Sequence, residues 1–155
     1  MFEKVLVCLD GSALAEEILP YIHSEGKCLG KVILLKVIAT PAISLPLGVP
    51  GEAGAPVHTD AMLERFRKEL EETPDYLEKK AQPLRGSGLD VECVVLQGVP
   101  SEAIIAYARD NDVKLIAIAT HGHSGLRQIA LGSTAEYVLR HAGLPLLLIT
   151  PRKRR

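Results

Sequence analysis

A chain of 155 residues with 47% hydrophobic and 24% charged side chains has the composition of an ordinary globular protein, long enough for one domain over residues 1–155. Its net charge of −1 excludes a global field that would recruit nucleic acid or an anionic membrane, and the basic tail, Arg152 to Arg155, is short enough to read as a solvated end. The three cysteines, Cys8, Cys28 and Cys93, lack CxxC spacing, which argues against a disulfide framework or a thiolate zinc site and fits a reducing compartment.

The first apolar run, Val5 to Leu9, is far too short for a signal peptide, and no run approaches the roughly 20 residues that cross a bilayer, so the expected location is the cytoplasm. From there two kinds of segment alternate. Short, nearly continuous apolar runs at Val5–Leu9, Val32–Ile38, Leu115–Ala119 and Leu146–Ile149 suit parallel strands covered on both faces. The run Val91–Leu96 is more mixed and suits a position nearer an edge.

Between the runs, helical spacing buries Leu14, Ile18 and Ile22 in Ser12–Cys28, and Ile104, Ile105 and Ala108 in Pro100–Asn111, with Pro100 at the first turn. Residues 41–56 carry four prolines and three glycines and read as an irregular loop. The stretch from Asp60 to Arg85 is helical through Leu63, Phe66, Leu70, Leu77, Ala81 and Leu84. Because an interior proline costs about 3 kcal/mol, a break is expected at Pro74, with Thr73 capping a second helix that Pro83 kinks or shortens. The last helix, Ser133–His141, opens on a Ser133-x-x-Glu136 capping box. The expected fold is α/β: one open, mainly parallel five-stranded sheet with helices on both faces and ligands beyond the carboxyl ends of its strands.

The loop after the fourth run holds most of the chemistry. Between Ala119 and Thr134 lie three glycines, Gly122, Gly125 and Gly132, and four hydroxyl residues, Thr120, Ser124, Ser133 and Thr134. Glycines admit backbone N–H groups close to a phosphate, and a helix start adds about half a positive charge, so the segment can form an anion cradle. Glycine-rich strand-to-helix loops also serve packing, and the residues alone leave both readings open. His121 and His123 offer two imidazoles without an evident third ligand, so no metal site is expected. The G-x-x-x-x-G-K-[ST] motif of P-loop enzymes is missing.

The spacing Gly122-x9-Gly132-Ser133 resembles the G-x-x-G-x9-G-[ST] signature of the ATP-binding universal stress proteins, with Ala119 where the first glycine falls. Lys4-Val5-Leu6-Val7 before Asp10-Gly11-Ser12, Gly98-Val99-Pro100, the Thr120-His121-Gly122-His123-Ser124-Gly125 loop and the closing Leu144–Ile149 resemble further family landmarks in order. The resemblance implies a Rossmann-like, adenine nucleotide alpha hydrolase-like fold that binds ATP, AMP or ADP, with Mg²⁺ accompanying ATP. It places Asp10 beside the adenosine and Val37 against the adenine. Gly122, Gly132, Ser133 and Thr134 would hold ribose and phosphates, alongside Ala119, Thr120, His121 and His123. From the residues themselves, Asp10 reads equally as a turn residue, Val37 as core, and Ser133 as a cap. The resemblance further implies a regulatory, stress-response role with slow or no hydrolysis, and a homodimer through Leu146, Leu147, Leu148 and Ile149. Two other functions stay open: a nucleotide-free interaction module of the same fold, and a weak ATP hydrolase.

Overall fold

The computed structural model describes residues 2–41, 59–120 and 132–150. Five strands, β1 (Phe2–Cys8), β2 (Leu29–Ala39), β3 (Asp90–Gly98), β4 (Leu115–Ala119) and β5 (Leu146–Ile149), form one sheet in the order β3-β2-β1-β4-β5. Each neighbouring pair is parallel. The mixed run around Val91 forms an edge strand, as its polarity suggested, and the shortest run, β5, forms the other. The central strand earns its place by composition. Val5, Leu6 and Val7 are wholly buried, and neighbouring residues feed opposite faces.

On one face, Val5, Val7, Val32, Leu34 and Ala117 pack under α1 (Ala13–Glu16), α2 (Leu19–Ser24) and α3 (Thr59–Gly86). On the other, Leu6, Cys8, Ile33, Leu35, Ile116 and Ile118 pack under α4 (Pro100–Asp110) and α5 (Ser133–His141). Gly30 sets the spacing between β1 and β2 near their amino ends, because a β-carbon there would sit 2.3 Å from the Glu3 carbonyl oxygen. No helix among the described residues is long and apolar enough to cross a membrane.

Three local expectations are corrected. The segment Ser12–Cys28 is not one helix: α1 ends at Glu16, α2 begins at Leu19, and a 3-10 turn follows at Gly26–Cys28. Pro20, in the first turn of α2, lacks the N–H that would bond to the Glu16 carbonyl, so the chain restarts there.

In α3 the opposite happens, and Pro74 and Pro83 both lie inside one helix of 28 residues. Their side chains sit on the exposed face, where carbonyls deprived of a donor can be hydrated. The inner face buries Leu77, Ala81 and Leu84 against the sheet. Each leucine returns about 1.5–3 kcal/mol, together enough to offset one interior proline. Thr73 caps nothing; it is buried, and its hydroxyl accepts a hydrogen bond from Lys36 at 3.2 Å.

The capping box of α5 is the third correction. Gly132 occupies the cap without a side-chain bond, and Glu136 accepts from Arg140 instead, at 2.9 Å.

Two measurements check this packing. Pro74→Ala restores a helical donor and should raise unfolding stability by up to about 3 kcal/mol, whereas Leu77→Ala should cost about 2–5 kcal/mol, both by denaturant titration. Burial also pushes the Cys8 thiol from 9.0 up to about 12. The unfolded chain loses that proton first, so stability contributed by Cys8 is intact below about pH 9 and falls as pH rises toward 12. Cys8→Ala should flatten that part of the pH–stability curve.

Candidate functional site

Strand order reverses between β1 and β4, since the chain steps outward through β2 and β3 and then returns to the other side of β1. Loops leaving the two central strands therefore diverge, opening a crevice at the carboxyl edge where α/β sheets bind ligands. A cleft of about 380 Å³ lies there. Its floor is an apolar row set by register, because Cys8 pairs with Leu35 on one side and Ile118 on the other, and all three line the cleft. Val37 and Ile104 extend the apolar wall, and Pro100 brings in the first turn of α4.

Polar groups stand at one end. Asp10 follows β1, and its Oδ1 accepts from the Ser12 amide at 2.8 Å and the Ser12 hydroxyl at 2.6 Å. The same Ser12 oxygen accepts from the Ala15 amide at 3.1 Å and caps α1. Asp10 is thus a turn residue and a cleft residue together. Gly11 completes the turn at φ +87°, a conformation that favours glycine.

Gly132, Ser133, Thr134 and Ala135 lie along the cleft opposite, as the first turn of α5. Without the expected capping box, the Ser133 hydroxyl is not spent on the helix end. The amide of Glu136 is the first to bond back, to Gly132 at 2.9 Å, so the amides before it have no acceptor within the helix. The positive end of the helix dipole adds to them.

The structure gathers Asp10, Val37, Ala119, Gly132, Ser133 and Thr134 around one cleft. Thr120 goes elsewhere: it is fully buried, and its hydroxyl and amide both donate to the Ile149 carbonyl, at 3.3 and 2.8 Å. His121, Gly122 and His123 lie outside the described residues. Ala119 closes β4 without left-handed backbone, since Asp112 is the only described non-glycine residue with positive φ. Among the described residues, no group of three or more His, Cys, Asp or Glu could hold a metal ion. Sequence reasoning missed the floor residues Cys8, Leu35 and Ile118. Each reads as ordinary core, and only register aligns them beneath one opening.

Comparison with known proteins agrees with the fold. The chain is 31% identical to the universal stress protein MJ0577 of Methanocaldococcus jannaschii over 161 aligned residues, covering 96% of this chain and 95% of the relative. A solved structure of MJ0577 superposes with a TM-score of 0.77 at 27% identity, covering 99% of each chain. Two more distant structures share the fold at 17% identity and TM-scores of 0.61. One is a universal stress protein family protein from Arabidopsis thaliana with AMP bound, covering 97% of this chain and 92% of that one. The other is a universal stress protein in complex with cAMP, covering 96% and 97%. The family model for universal stress proteins matches residues 1–150, and the chain belongs to that family.

Proposed function

We propose that the chain binds an adenine nucleotide, ATP or AMP, in the cleft between β1 and β4, and that the bound nucleotide acts as a regulatory ligand in a stress-response role. The observation that carries this reading is the first turn of α5, whose amides have no acceptor within the helix, beside an apolar slot. Such a slot suits a flat heteroaromatic base, and helix-terminal amides suit an anion. Val37 and Leu35 would flank the base, and Asp10 would meet the nucleoside. Gly132, Ser133 and Thr134 would receive phosphate oxygens, with Mg²⁺ accompanying a triphosphate. The AMP and cAMP complexes of proteins with this fold support the choice of an adenine ring. The non-positive φ of Ala119 means that its methyl group strains no backbone, which favours binding over a nucleotide-free module.

The reading extends to a homodimer. β5 ends the sheet with Leu146, Leu147 and Leu148 half-buried, and an unpaired apolar edge strand is a liability that a two-fold copy would cover. Light scattering should give twice the chain mass, and Leu147→Lys should give a monomer. A wild-type monomer would remove this part of the proposal.

Protein purified without added nucleotide, then denatured, should release adenine nucleotide absorbing near 260 nm, against a background free of Trp. Empty protein that also gave no heat with ATP and Mg²⁺ would overturn the assignment. In calorimetry, Ser133→Ala combined with Thr134→Ala should weaken binding by roughly 10–100-fold, the loss expected when hydroxyl donors to a charged group are removed. Ala119→Gly should change it by less than about threefold, since neither residue is strained there.

A further inference from the structure

A second cleft, of about 410 Å³, opens on the opposite face of the sheet from the nucleotide cleft. Its walls are Gly11 of the turn after β1, Lys36 of β2, and one stripe of α3: Arg65, Lys68, Glu69, Glu72, Thr73 and Tyr76. The stripe follows helical spacing, so these residues share the face that farther along buries Leu77, Ala81 and Leu84. A helix face that is apolar over the core and turns charged over the sheet's carboxyl edge encloses polar space there.

The centre of that space is Lys36, only 8% exposed. Its ammonium donates to Glu69 Oε1 at 2.8 Å and to Thr73 Oγ1 at 3.2 Å, and lies 5.8 Å from the Tyr76 ring centroid. An ammonium has three protons to donate, and these two acceptors use two. Gly11 borders the ammonium, since a β-carbon there would stand 3.6 Å from Lys36 Nζ. The lining holds three cations, Lys36, Arg65 and Lys68, against two carboxylates, Glu69 and Glu72. Lys68 is engaged with Glu72 at 3.8 Å, and Arg65 is in no ion pair among the described residues. Only the Lys36 end of its ion pair is buried; the Glu69 side chain is 45% exposed, so screening by water leaves the pair little to add to stability.

We propose that this cleft binds a small oxyanion, a carboxylate or phosphate group of a metabolite, through the third proton of Lys36 and the guanidinium of Arg65. The two clefts adjoin along the chain. Asp10 and Val37 line one cleft, while their neighbours Gly11 and Lys36 line the other.

Amide and side-chain NMR shifts of the full chain, titrated separately with inorganic phosphate and with citrate, test the site. Gly11, Lys36 and Thr73 should move together and saturate. Saturation with citrate alone assigns a carboxylate ligand, with phosphate alone a phosphorylated one, and both support an oxyanion site. Lys36→Met, which keeps the buried stem, should abolish the saturable shifts, and Glu69→Gln should tighten binding about threefold by removing the opposing carboxylate. The proposal is overturned if neither anion moves these three residues, if shifts appear only at Gly132, Ser133 and Thr134, or if Lys36→Met responds as the wild type does. Because the two clefts report through different residues, an empty nucleotide cleft leaves this test intact.

Discussion

The burial of β1 on both faces and both edges is the constraint on which the rest depends. Its residues Val5, Leu6 and Val7 have no exposure, and Cys8 meets Leu35 and Ile118 across two parallel ladders. A strand so enclosed needs helices above and below and parallel partners left and right. The chain supplies them by building outward through β2 and β3, then crossing back to β4 and β5. The crossing creates the crevice at the carboxyl edge. Fold and site therefore follow from one topological event, and the apolar row that stabilises the sheet centre is also the cleft floor.

The two faces of the sheet meet different demands near that edge. On the face of α4 and α5 the wall stays apolar up to the opening and then ends in helix-terminal amides. On the face of α3 the core stops about a turn earlier, and charged side chains close around Lys36. Glu16 ties this face together, accepting from the Tyr76 hydroxyl at 3.0 Å and from Lys80 at 2.6 Å. Burial and the Glu16 carboxylate both hold the Tyr76 phenol in its protonated form, so its hydroxyl remains a donor.

Helix ends show how tertiary packing redistributes local preferences. Ser133 and Glu136 have the spacing of a capping box, yet Gly132 takes the cap and Glu136 turns to Arg140. The change leaves hydroxyls and amides of the first turn facing the cleft. Ser12, by contrast, does cap its helix, its oxygen accepting from the Ala15 amide while its O–H donates to Asp10. One terminus is closed locally by its own side chain, and the first turn of the other lines the cleft.

The short apolar runs at Val5, Val32, Leu115 and Leu146 marked the strands, because continuous apolar runs of that length suit strands covered on both faces of a parallel sheet. Gly132, Ser133 and Thr134 marked one end of the cleft, and the polarity around Val91 marked the edge. Local chemistry can encode such features. What only the tertiary structure decided depends on residues far apart in the chain. Helix α3 runs through Pro74 because Leu77 and Leu84 find a sheet to bury against, a gain invisible to a local proline rule. Cys8, Leu35 and Ile118 become a cleft floor only through strand register. Thr120 turns to Ile149 rather than to the cleft because β5 lies beside β4. Lys36 reads as one charge in an apolar strand until α3, more than thirty residues on, brings Glu69 and Thr73 to it. Sequence spacing sets which side chains share a face, and only the packing of one face on another sets what they meet.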